Sequence, residues 1–190
     1  FEGVEADRCT ETVDRGTREA LAAGCDMVVA VGGGSALDAG KASAGVATNG
    51  GPAREYLHGK EIERPPLPCV AVPTTAGTGS EVTKNAVITD RAEGVKRSIR
   101  HRLLIPAAAV VDPELTYTLP PAVTAATGMD ALAQLIEPYV SRPVSYTHLR
   151  AHETPEHLVC RLLLEKKNNN HTPHQHYHTP PQHYHTITTN

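Results

Sequence analysis

Two short stretches carry residues whose types and spacing could do chemistry. The first is Gly32-Gly33-Gly34-Ser35, with Asp38 and Lys41 behind it, fed by the apolar run Met27-Val28-Val29-Ala30-Val31. Such a β-branched run reads as a buried parallel strand, and the residues after the glycines read as the start of a helix. Ser35 and Asp38 have the spacing of a capping box. Glycines let a ligand approach the backbone. The helix N-terminus offers N–H groups and the positive end of a dipole, an arrangement suited to phosphate. The alternative is a strand–helix turn that needs glycine only for steric reasons. Two commoner phosphate loops fail on spacing. For a Walker A loop Gly34 is one residue too early before Gly40-Lys41, and Ala42 follows the lysine. For the dinucleotide fingerprint, Leu37 stands where the third glycine belongs.

The second stretch is Pro73-Thr74-Thr75-Ala76-Gly77-Thr78-Gly79-Ser80-Glu81, a hydroxyl-rich glycine loop after the apolar run Cys69-Val70-Ala71-Val72. Ligands of open α/β sheets sit at the carboxyl ends of strands, so two polar glycine loops after two strands point to one crevice. A solvated, threonine-rich turn is the alternative. Lys96, Arg97, Arg100, His101 and Arg102 form a basic cluster: either a solvated face or a source of one phosphate- or ribose-binding cation. Asp130 and Gln134, spaced i,i+4, share one face of a helix, either as half of a metal site or as a surface pair, and the residues alone favour the pair.

The elements that must position these groups follow from periodicity and punctuation. A helix is expected over 10–24, with Val13, Leu21 and Ala22 on one side and Gly24 at its C-cap. A second helix is expected over 35–47, closed by Asn49-Gly50-Gly51, and a charged, proline-rich surface loop over 52–68. Strands are expected over 69–72, 85–90, 95–99 and 107–111, and a helix over 124–140 after Pro120-Pro121, with Leu132, Leu135 and Ile136 along it.

The totals bound the reading further. A formal net charge of −3 argues against non-specific nucleic-acid binding. No run approaches the length of a membrane span and Phe1 opens the chain with no basic leader, so neither a span nor a signal peptide is expected, while the lack of an initiator methionine suggests a missing N-terminus. Cys9, Cys25, Cys69 and Cys160 form no C-x-x-C pair, which favours structural thiols in a reduced, cytoplasmic setting.

Residues 1–142 resemble the iron-containing alcohol dehydrogenase family of the dehydroquinate-synthase-like superfamily. The resemblance rests on five segments in the family's order. They are Ala30-Val31-Gly32-Gly33-Gly34-Ser35 with Asp38 and Lys41; Pro73 through Thr83; Val87-Ile88-Thr89-Asp90; Asp112-Pro113-Glu114-Leu115; and Leu119-Pro120-Pro121 with Thr124 through Leu132. It implies an α/β fold: a Rossmann-like parallel sheet domain over 1–123, N-terminally truncated, and at 124–142 the first helix of an all-helical domain whose remainder is missing. It implies that Gly33, Gly34, Ser35 and Asp38 hold the pyrophosphate of NAD or NADP, that Thr74, Thr75 and Thr78 line its other side, and that Lys96 approaches its ribose. Asp130 falls on the first metal-ligand position. Gln134 stands where many members have histidine, and a neutral amide oxygen suits Fe(II) or Zn(II) poorly. The activity implied is hydride transfer between NAD(P)H and a small alcohol or aldehyde. Glycerol-dehydrogenase-like and maleylacetate-reductase-like oxidoreductases are the alternatives within the superfamily. A non-catalytic nucleotide-binding fragment is the reading for this chain itself. The implied parent is a homo-oligomer, with no nucleic-acid or membrane partner.

Residues 143–190 match no part of that family. Residues 143–154 resemble, in one reading frame, the translation of a transposase adapter used in short-read library preparation, and 158–167 resemble its downstream partner. Nine of the eleven histidines lie after position 147, and 168–190 are nearly all Asn, His, Thr, Pro, Gln and Tyr. Such a tail has too little apolar surface to offset its ordering entropy, so it is expected to be a disordered sequencing artefact. His152-Glu153 and His157 miss the zincin spacing by one residue, and Pro155 would break the helix.

Overall fold

A computed structural model of the chain describes residues 1, 2, 4 and 7–140. The expectations for 143–190, including the histidine-rich tail, lie outside the described residues. The elements are α1 (Thr10–Ala22), β1 (Val28–Gly32), α2 (Gly34–Asn49), α3 (Ala53–Leu57), β2 (Cys69–Pro73), β3 (Asn85–Asp90), β4 (Val95–Arg100), β5 (Ala108–Ala109) and α4 (Pro121–Val140). Three strands form a parallel sheet in the order β1-β2-β5, and β3 pairs antiparallel with β4. The α/β expectation therefore holds, with a separate hairpin that the strand patterns at 85–90 and 95–99 already implied.

Helix α2 is the hub. Its small residues allow contact on several sides, so Ala42 and Val46 join one apolar cluster with Val13, Tyr56, Ile88 and Leu104, while Leu37 and Ala44 join another with Ala30, Cys69 and Ala71. Gly40 fixes the spacing between α2 and β1: a Cβ there would lie 2.6 Å from Ala30 Cβ, closer than packed carbons approach. Both helix C-termini close as their glycines suggest. Gly24 takes a left-handed φ of 63°, and Cys25 N donates to Ala20 O at 3.0 Å while Gly24 N donates to Leu21 O at 3.1 Å, a Schellman closure. Gly50 N donates to Val46 O at the end of α2.

Four local expectations need correction. The stretch 52–68 is not simply a surface loop: it contains α3, and Ala53, Tyr56, Leu57 and Ile62 are core residues that long-range packing recruits. Strand β1 is parallel but not buried: it is an edge strand, and Val29 and Val31, 56% and 57% exposed, point away from α2. In α1, Val13 is buried but Leu21 is exposed. The capping box at Ser35 does not form, because Gly33, already extended, is the N-cap, and Ser35 lies inside the helix with no side-chain cap on α2. Among the described residues no helix is long and apolar enough to cross a membrane. Cys9, Cys25 and Cys69 are not in disulfides.

Candidate functional site

The register Gly32↔Pro73 places the glycine turn and the threonine loop side by side, at the carboxyl ends of β1 and β2. Thr74 N donates to Gly32 O at 2.9 Å, tying the first residue of one loop to the end of the neighbouring strand. Across the cleft the two loops are in contact. A Cβ on Gly33 would sit 3.4 Å from Thr75 Cγ2, and one on Gly34 would sit 2.7 Å from Thr78 Oγ1. Glycine at 34 is therefore required for this approach, and the pair of loops makes a narrow cradle lined by hydroxyls and by the start of α2. The N-cap, Gly33, has no side chain to cap the helix, and its carbonyl accepts from Ala36 N at 2.9 Å and Leu37 N at 3.2 Å, which leaves the N–H groups of Gly34 and Ser35 at the head of α2. The geometry suits an anionic group such as a pyrophosphate. Another cavity lies between α1, β1 and α2. Its lining, including Phe1, Ala20, Met27 and Ala39, is mainly apolar, so the chemistry belongs to the open cradle.

Beside the glycine turn lies a charged network that the sequence did not reveal. Asp38, 5% exposed, takes Arg8 Nη2 at 2.5 Å and Lys41 Nζ at 3.1 Å, and accepts from Ser80 Oγ at 2.5 Å and Val87 N at 3.1 Å. Arg8 Nη1 donates to Ser35 Oγ at 2.9 Å. Lys41, 1% exposed, donates to Ser80 O at 2.8 Å and to Asn85 O. Burial holds the Lys41 amine below the usual lysine range, against the pull of Asp38. The Asp38 carboxylate is thus engaged from four sides within the protein. It ties α2 to the N-terminal segment, to the end of the threonine loop and to β3. The i,i+3 spacing of Asp38 and Lys41 was the one local hint of this pair; Arg8 and Ser80 had none.

The remaining expected residues divide. Lys96 lies exposed on β4 and pairs with Asp7 at 3.7 Å. On α4, which begins at Pro121, Asp130 is exposed and Gln134 Nε2 donates to Gly77 O at 3.2 Å. This face of α4 therefore offers a metal two side chains, the Asp130 carboxylate and the Gln134 amide oxygen. That donor set does not fit Fe(II) or Zn(II) as it stands. The only cluster of ligating side chains among the described residues is His58, Asp90 and Glu93, near α3. Arg54 already takes the cation's place there, 2.7 Å from both Asp90 Oδ2 and Glu93 Oε1.

Comparison with known proteins identifies the family. The family model described as iron-containing alcohol dehydrogenase matches residues 1–113. Alcohol dehydrogenase 4 of Schizosaccharomyces pombe is 43% identical over 141 residues, covering 74% of this chain and 33% of the relative. The NAD-dependent methanol dehydrogenase of Bacillus methanolicus is 44% identical over 142 residues, covering 75% of this chain and 37% of the relative. Among solved structures, sulfoacetaldehyde reductase from Bifidobacterium kashiwanohense in complex with NAD+ superposes with a TM-score of 0.72 at 43% identity, covering 75% of this chain and 38% of that one. The chain belongs to the iron-containing alcohol dehydrogenase family. It spans about a third of the length of the curated relatives it matches.

Proposed function

We propose that residues 1–123 form the NAD(P)-binding half of an oxidoreductase that moves a hydride between NAD(P)H and a small alcohol or aldehyde, and that residues 124–142 begin the helical half that completes the active site. One observation carries this reading: Gly33 and Gly34 stand against Thr75 and Thr78 at the start of α2. The nicotinamide cofactor supplies the hydride chemistry, and the protein supplies binding and orientation. Gly33, Gly34 and Ser35 present backbone N–H groups to the pyrophosphate, and Thr74, Thr75 and Thr78 close over it. Asp38, Arg8 and Lys41 hold that backbone in place. Lys96, on the hairpin, is assigned to the ribose. The relatives' names and complexes supply NAD as the leading cofactor, with NADP the alternative, and alcohols or aldehydes as the substrate class. A cytoplasmic homo-oligomer that binds neither nucleic acid nor membrane is the matching setting. Asp130 and Gln134 by themselves do not fit Fe(II) or Zn(II), so a metal assisting the reaction would need further ligands.

Titration of the chain with NADH, followed by nicotinamide fluorescence, tests the reading. Binding that ADP-ribose competes away is expected, and Gly34→Val should weaken it at least about ten-fold, because the new side chain fills the space of Thr78. A chain that folds and gives no fluorescence change with millimolar NADH overturns it.

A further inference from the structure

Helix α4 meets the threonine loop at a single glycine. Gln134 Nε2 donates to Gly77 O at 3.2 Å, and a Cβ on Gly77 would lie 2.8 Å from both Cβ and the carbonyl oxygen of Thr127. Thr127 and Gln134 are seven residues apart, two turns of helix, so they share one face. Thr127 is itself pinned to that helix, its hydroxyl donating to Val123 O at 3.0 Å. Gly77 is buried although α4 has no buried residue of its own. Only the amide nitrogen can donate to a carbonyl, so the contact fixes which end of the Gln134 amide faces the loop.

Gly77 lies between Thr75 and Thr78, the two residues that face Gly33 and Gly34. Holding its carbonyl therefore holds both hydroxyls of the cradle in register. We propose that Gln134 is a positioning residue that latches the cofactor loop to α4, acting through Gly77, and that this role replaces the metal-ligand role its sequence position suggests. The proposal rests on the cofactor reading for the meaning of the loop, but the latch itself is a property of the loop and helix alone.

The test compares the whole chain with Gln134→Ala and with Gln134→Glu, whose ionised carboxylate matches the amide in size but cannot donate. Three readouts are taken: hydrogen exchange of the 74–80 amides by mass spectrometry, NADH affinity with and without a chelator, and bound Fe and Zn after loading. Both variants should speed exchange of 74–80 several-fold while leaving the α1 and β4 amides unchanged. Both should raise the Kd for NADH about three- to ten-fold, equally with and without chelator. Unchanged exchange in 74–80 overturns the latch whatever happens to NADH. So does Gln134→Glu restoring NADH affinity together with new metal content, since that is the behaviour of a ligand. If Gln134→Ala loosens the whole chain, the near-isosteric Gln134→Glu decides. Absence of NADH binding by the wild-type chain removes the cofactor reading and leaves exchange to judge the latch.

Discussion

Asp38 and Asp90 are both buried aspartates, 5% and 1% exposed, and each gathers basic groups from distant elements, yet the two clusters differ in what surrounds them. The partners of Asp38 are sealed in: the side chains of Arg8 and Lys41 are 12% and 0% exposed. Those of Asp90 open to solvent: Arg54 is 47% exposed, Glu93 34% and His58 39%. The first cluster lies beside the glycine turn and joins the N-terminal segment, α2, the threonine loop and β3. The second fastens α3 to the β3–β4 turn. A sealed cluster is rigid because breaking one partner strands a charge in a dry site, whereas water replaces a lost partner at the open one. The molecule has put its least forgiving electrostatics beside the loops that must stay in place.

The sharpest way to break that contrast is at Lys41. Lys41→Met keeps the aliphatic bulk but removes the ammonium from Asp38 and from Ser80 O. Urea unfolding should show a loss of about 3–5 kcal/mol, the range for breaking one side of a buried pair. Adding Asp38→Asn to Lys41→Met should lose clearly less than the two single losses summed, because the second change no longer strands a partner. A Lys41→Met loss near zero, or strict additivity, makes the buried network no different from the open one.

Much of the cradle was legible before any coordinates. The glycine turn, the threonine loop and the strands that deliver them are written in local pattern: an apolar run, then glycines, then a helix. What was not legible depends on partners far along the chain. Ser35 and Asp38 have capping-box spacing, but Arg8 lies 30 residues before Asp38 and Ser80 lies 42 after it, and together they capture the carboxylate. Tyr56 and Ile62 sit in a charged, proline-rich stretch whose polarity hides the core they enter. The family resemblance puts Gln134 at a metal position while its spacing from Asp130 favours a surface pair, and nothing in either announces a glycine carbonyl 57 residues away. Val29 and Val31 erred in the other direction, since an apolar strand reads as buried whether or not its second face is covered.

A smaller effect is expected at the open cluster. Arg54→Ala removes 2.7 Å contacts to both Asp90 and Glu93. Solvent can reach the vacated place, so the shift in urea midpoint should stay below about a third of that for Lys41→Met and should shrink further in 1 M salt. A loss as large as that of Lys41→Met would mean that exposure of the partners does not decide what an aspartate cluster contributes.

The smallest difference concerns acid. Burial pushes the Asp90 carboxyl upward, but the Glu93 N–H, the charge of Arg54 and the Ala92 N–H more than offset it, so the group lies below the usual aspartate range. A carboxyl lowered on folding contributes stability that is present above its unfolded pKa, about 3.8, and lost as pH falls through the folded value. Unfolding curves at pH 6 and pH 3 should therefore show the wild-type chain losing more stability on acidification than Asp90→Asn, which binds no proton in this range. Arg54→Ala, deprived of one of the stabilising charges, should fall between them. Equal acid sensitivity in wild type and Asp90→Asn would take Asp90 out of the acid limb and leave the open cluster as a purely geometric fastening of α3 to the hairpin.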